Sequence, residues 1–326
     1  MSRGLGDVYK RQEIHKNLGE DYLGVVCKQF PRYSEYYGTI KESGIGLACE
    51  EAARIILSEN RPFSMETAAC DEEYEPSSEY DSSFALQIFA AREAVFKILA
   101  KESLSIHEKL IVILDMGSKI QQCINTDEYD NIKSVVNDYL KEGIAHTLDE
   151  TRNLSDSGQF EDISLQQGIR QILYPYEEME VLNPEWEVIL KDIIDSLFEQ
   201  MSDEEYNILN EEFGTYMVSR AYEYRQLLEY LVFRYFAKSI YDYDFLGKCQ
   251  MLVTNFFVIR QMDIIRWLDN HREYSFKDRM DVVHIFSRQV EYSEDNIENL
   301  YEDFIFDDIF KTDSLIAILW IDSENI

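Results

Sequence analysis

Glycine and proline are scarce in this chain, 13 and 5 among 326 residues. Sandwiches and propellers need a turn signal every roughly 8–12 residues, so those architectures are excluded. Basic residues are also few, 31 Lys+Arg against 63 Asp+Glu, for a formal charge of −32. With no basic stripe to displace phosphate counterions, a nucleic-acid partner is excluded as well. No stretch approaches the roughly 18 uninterrupted apolar residues of a membrane span. The most apolar ones, 227–236 and 252–265, are broken by Glu229, Arg234, Asn255 and Arg260. The 5 cysteines are an odd number with no secretory segment ahead of them, so a disulfide framework is not expected. The expectation is a cytoplasmic, reducing setting with no membrane partner. Twin-cysteine, HExxH, P-loop and GxSxG motifs are all missing.

What is abundant is apolar and aromatic surface, 45% and 13% of the chain, which rules out disorder despite the charge. Residues 84–100 place Phe84, Ile88, Ala91, Val95, Ile98 and Leu99 on one helical face. Ser105 with Glu108 three residues on, and Ser202 with Glu205, are capping-box patterns; Asn183-Pro184 is a cap followed by proline at the first helical position. Further helices are expected over 129–148, 184–199, 202–213, 215–240, 246–270, 276–292 and 297–310, with a last apolar run over 315–321 and a polar loop over 153–163. No repeat of fixed period supports a solenoid. The fold class predicted is mainly α, a helical bundle-like body with a small N-terminal cysteine-bearing α+β segment.

That segment spans 13–58. Tyr33–Gly46 reads as a short hairpin, and Cys49–Leu57 as a helix with acids in its first turn, favourable against the helix dipole. Residues 59–83, acidic with Pro62, Pro76 and paired serines, read as a linker, and 84–326 as the helical domain. Met1–Gln12, MSRGLGDVYKRQ, resembles a translated adapter or assembly artefact and is set aside as a leader. The expectation is therefore an incomplete chain whose natural sequence continues upstream of Glu13.

Few residues carry chemistry by spacing alone. Cys27 and Cys49, 22 apart, are not a metal signature in themselves, since a cluster needs two further thiolates. Cys70, Cys123 and Cys249 lack positive surroundings and read as structural. Asp281 and His284 share a helix face at i, i+3, but a carboxylate-bridged site needs a second such motif, so His284 reads as a satisfied helix residue. His15, beside the cysteine block, is a weaker possibility of the same kind. The tyrosine-rich stretch 216–243 reads as core, with stacking on a cofactor as the alternative. The acidic runs 71–75, 177–180 and 302–308 read as solvated faces, or as a field steering a lysine-bearing partner.

The ordered elements Leu18-Gly19-Glu20, Cys27, Pro31-Arg32 and Cys49-Glu50-Glu51-Ala52-Ala53-Arg54 resemble the flagellin lysine-N-methylase family. The likeness is sharp over 14–57 and diffuse beyond, where 229–233 and 286–296 look like the family's downstream helices. It implies a bacterial methyltransferase moving a methyl group from S-adenosylmethionine to lysines of flagellin, or of another lysine-bearing protein. It also implies an iron–sulfur cluster, of the 4Fe–4S type, held by a CxxCxxCC region and the cysteines after it. Cys27 and Cys49 match late cysteines of that pattern, whereas Gln12 stands where the family has another, so most ligands are expected to lie outside this chain and the chain as written to be inactive. Arg32 and Arg54 are weak candidates for holding the cofactor's carboxylate, with ordinary salt bridging the simpler use; no catalytic residue is assigned. No glycine-rich loop follows a strand, against a Rossmann-type methyltransferase within this chain. The alternative is a helical protein–protein interaction module without catalysis.

Overall fold

The computed structural model describes residues 30–69, 81–156 and 163–324, together with 17–19 and 22. Their fold is mainly α, with a two-stranded sheet near the N-terminus. Strands β1 (Arg32–Tyr37) and β2 (Ile40–Ile45) form an antiparallel hairpin in which Tyr33 faces Gly44. A Cβ on Gly44 would stand 2.5 Å from the Tyr33 hydroxyl, so glycine is what lets that ring lie across the neighbouring strand. Helix α1 (Glu50–Leu57) follows at once, then residues 60–69 without helix or strand. Phe63 in that stretch stacks on Phe96 with ring centroids 4.1 Å apart, which ties it to the body.

The body runs through α2 (Ser82–Leu99), α3 (Ile106–Asn125), α4 (Ile132–Asp138) and α5 (Ile144–Asp156). It continues with α6 (Leu165–Glu177), α7 (Pro184–Ile193), α8 (Asp203–Met217), α9 (Ala221–Tyr235) and the short α10 (Ser239–Asp242). Helices α11 (Phe245–Asp269), α12 (Phe276–Phe286), α13 (Glu294–Phe306) and α14 (Thr312–Glu324) complete it. The capping boxes at Ser105/Glu108 and Ser202/Glu205 form as the sequence predicts, and Asn183 accepts from the Glu185 amide ahead of Pro184. α11 is the central helix, buried on nearly every face from Phe245 to Ile265. Its neighbours are α3, α9, α12 and α7, and α14 packs along α3.

Three expectations needed correction, the first being that α5 runs on through Asp156, into the start of the polar loop expected over 153–163. Helix α6 falls where no element was expected: Ile169, Ile172, Leu173 and Tyr176 form its buried face, and Pro175 stands inside it, two residues before its end. The single helix expected over 215–240 is divided by 3₁₀ turns at Val218–Arg220 and Phe236–Lys238, which redirect α9 between α8 and α10.

Hairpin and body share one core. Tyr37, Leu47, Ala53 and Leu57 belong to the same buried cluster as the helices. Arg92 of α2 reaches Glu42 of β2 in a two-pronged pair, 2.7 Å at Nη1. Deeper charges are also matched. Arg279 donates from Nε to Glu223 at 3.0 Å and from Nη1 to Asp263 at 2.6 Å, and the Tyr224 and Tyr274 hydroxyls close on Asp263. Asp322 of α14 meets His107 of α3 at 2.6 Å and accepts from Asn210 of α8. Buried charges that lack such partners are strongly destabilising, so these contacts fix which helices face which.

Candidate functional site

The turn Gly46–Cys49 joins the hairpin to α1, which packs on α9 and α12. Cys49 has extended backbone just ahead of the first helical residue, and its thiol is half-buried and unbridged. Beneath it the Leu47 amide donates to the Tyr230 hydroxyl at 3.4 Å. Tyr230 and Tyr235 donate to Glu291 Oε2 at 2.8 and 3.2 Å, and Arg234 Nε stands 3.0 Å from the same oxygen. The Arg234 guanidinium also covers the Tyr33 ring at 4.5 Å, so strand β1 and helix α9 share one cation. Burial, followed by the Glu291 charge, pushes the Tyr230 and Tyr235 hydroxyls well up. Burial alone would lower Arg234; Glu291 and the tyrosines outweigh it and hold the guanidinium protonated. Glu291 Oε1 is buried without a hydrogen-bond partner.

Next to this turn, at Glu50, is a cavity of about 450 Å³. Its apolar wall is Val188 and Ile189 of α7 with Ile285 of α12, and its charged wall comes from four elements. Glu50 opens α1, Glu185 opens α7, Arg266 ends α11, and Asp281, His284 and Arg288 follow one face of α12 into its continuation, a π-turn over Ser287–Glu291. Glu291 on that π-turn belongs to the tyrosine cluster, so one helical segment serves both the cluster and the cavity. His284 is not the satisfied helix residue expected: its Nδ1 is buried and has no hydrogen-bond partner. Burial chiefly, then the Arg288 charge, push its imidazole below the ordinary value, so it is neutral at pH 7. Asp281 pairs outward with Lys277 at 2.8 Å. Among the described residues, Glu50, Glu185, Arg266 and Arg288 form no ion pair, although all four line the same space.

The residues singled out from sequence fall in different places. Cys27 and Cys70 lie outside the described residues, as does His15. Arg54 is exposed and pairs with Glu51 at 2.6 Å, the ordinary salt bridge. Arg32 is exposed on β1, and neither it nor Arg54 lines the cavity. Cys123 and Cys249 are buried in the body, Cys249 against Gly117. Arg266 and Arg288 escaped the sequence reading. The i, i+3, i+7 row Asp281, His284 and Arg288 was the available signal for the second; Arg266 carried none, because its relation to Glu50 and Glu185 is set by packing.

A 4Fe–4S cluster takes four thiolates. Among the described residues no three or more His, Cys, Asp or Glu side chains gather in a metal-holding group, and Cys49 is the one thiol that is not enclosed in the helical body. The described residues therefore do not hold such a cluster by themselves, and no step is routed through one.

The resemblance seen in the sequence rested on 14–57; comparison with known proteins bears on the rest. The family described as the FliB lysine N-methylase C-terminal domain matches residues 92–318. No curated protein matches the chain, and no solved structure does. The matched stretch runs from Arg92 in α2 to Ile318 in α14 and takes in the tyrosine–glutamate cluster and every cavity residue except Glu50. Matched over most of its length, the chain belongs to the FliB lysine N-methylase family.

Proposed function

We propose that the chain serves protein lysine N-methylation, with flagellin as the substrate protein and S-adenosylmethionine as the methyl donor. The family match over 92–318 is the observation that carries this reading. When bound, the donor supplies a methyl carbon whose bond to sulfur breaks as the lysine nitrogen bonds to it, leaving a neutral thioether. A lysine amine has a pKa of about 10.4, so it must lose a proton before it attacks. Cys49, at the end of the Gly46–Cys49 turn, is the described residue placed to join cluster ligands from outside the described stretch.

The test incubates purified flagellin with methyl-labelled S-adenosylmethionine. The chain and a form carrying the upstream reading frame are assayed side by side, and peptides are mapped by mass spectrometry. Methylated lysines with the extended form, and few or none with the chain alone, support both the activity and the incompleteness expected from sequence. No methyl transfer by either folded protein returns the chain to the non-catalytic interaction module.

A further inference from the structure

The cavity beside the Cys49 turn carries two guanidinium groups and two carboxylates that form no ion pair with one another or with any other described residue, together with a third carboxylate, Asp281, that pairs outward with Lys277. Arg266 and Arg288 are half-buried, while Glu50 and Glu185 stand at the mouth. Charges of both signs left unpaired around one space are unusual, since oppositely charged neighbours normally close on each other. A lone cation entering here meets two arginines, and a lone anion meets two glutamates. A ligand with both charges satisfies all four.

Size narrows the choice. About 450 Å³ lies within the roughly 300–1,000 Å³ of small-molecule sites and far exceeds what one lysine side chain fills. Val188, Ile189 and Ile285 give one wall an apolar surface suited to a flat ring system.

We propose that this cavity binds a nucleoside-bearing zwitterionic amino acid, its carboxylate held by Arg266 and Arg288 and its cationic side by Glu50 and Glu185. Resting on the methylation reading above, the ligand is S-adenosylmethionine and the cavity is the donor site. Lysine ammonium is the disfavoured occupant, because the two arginines repel it. The site then sits one residue from Cys49, which caps α1, while Glu50 at the first position of α1 lines the cavity.

Isothermal titration calorimetry of the whole chain with S-adenosylhomocysteine, the demethylated donor, tests this without any turnover. Saturable binding is expected for the wild type, weakened at least tenfold by Arg288→Gln and by Arg266→Gln, with thermal melts and circular dichroism showing the variants folded. Decarboxylated S-adenosylmethionine, which lacks the carboxylate and keeps two positive charges, is expected to bind the wild type at least tenfold more weakly than S-adenosylmethionine and to lose nothing further in Arg288→Gln. Binding that the arginine variants leave at wild-type strength overturns the cavity assignment and leaves the methylation reading standing. No binding of S-adenosylhomocysteine by the folded wild type, together with binding of a lysine peptide, overturns the assignment in favour of an acceptor site. Binding of neither overturns it outright; only methyl transfer in the flagellin assay decides the broader reading.

Discussion

Arg234 and Glu291 face each other at 3.0 Å beneath the turn that carries Cys49, one from α9 and the other from the π-turn after α12. Neither is exposed enough for water to replace its partner: their side chains keep 14% and 1% of their surface. The pair is what lets the tyrosine cluster beneath the hairpin be both buried and charged.

Replacing Glu291 by Gln is therefore expected to destabilise the protein by about 3–5 kcal/mol, the usual cost of stranding one member of a buried pair. Arg234 would be left between Tyr230, Tyr235 and Tyr33 without a counter-charge. Urea unfolding measures the loss. The double change Arg234→Met with Glu291→Met should recover most of it, since removing both charges leaves nothing stranded; a double mutant as unstable as the single one would contradict this account.

The Asp322 carboxyl is held down at about 2. Burial works against this, and the charges of Arg260 and His107, with the His107 hydrogen bond, outweigh burial. A carboxyl depressed from 3.8 binds fewer protons folded than unfolded, so its contribution is complete above about pH 4 and lost as pH falls toward 2. Asp322→Asn should flatten the stability profile in that window and lower stability at pH 7 by about 3 kcal/mol. Urea titrations from about pH 2 to pH 7 check both; equal slopes for wild type and variant below about pH 4 would rule the linkage out.

Helices α3 and α11 touch at Gly117, where an added Cβ would stand 2.5 Å from Cys249 Sγ and 3.2 Å from its Cβ. Gly117→Ala is expected to cost about 1–3 kcal/mol by overpacking, despite alanine's better helix propensity. Cys249→Ala in the same chain should restore part of this, since the sulfur is the atom in the way. Thermal melts of the single and double variants decide it, with a neutral or stabilising Gly117→Ala as the result that would refute the close approach.

Much of the helical framework was legible before any coordinates. The faces of 84–100 and 105–123, the capping boxes at Ser105 and Ser202, and the Tyr33–Gly46 hairpin are short-range patterns, and each stands where the pattern put it. Helix α6 was not legible because Gly168 and Pro175 weaken its local signal. Its stability comes from burying Ile169, Ile172 and Tyr176, and Gly168 lets α14 approach until a Cβ there would be 3.0 Å from Ile318.

The same division holds for the site. Sequence alone determined that Asp281 and His284 share a helical face and that acids open α1, because a 3.6-residue period and the helix dipole act within a turn or two. Tertiary structure alone decided that Glu50, Glu185, Arg266 and Arg288 line one space, and that Glu291 lies under Tyr230 and Tyr235. Those neighbours come from distant parts of the chain, and they meet only because burying the apolar faces of α1, α7, α11 and α12 leaves their charged ends in one place.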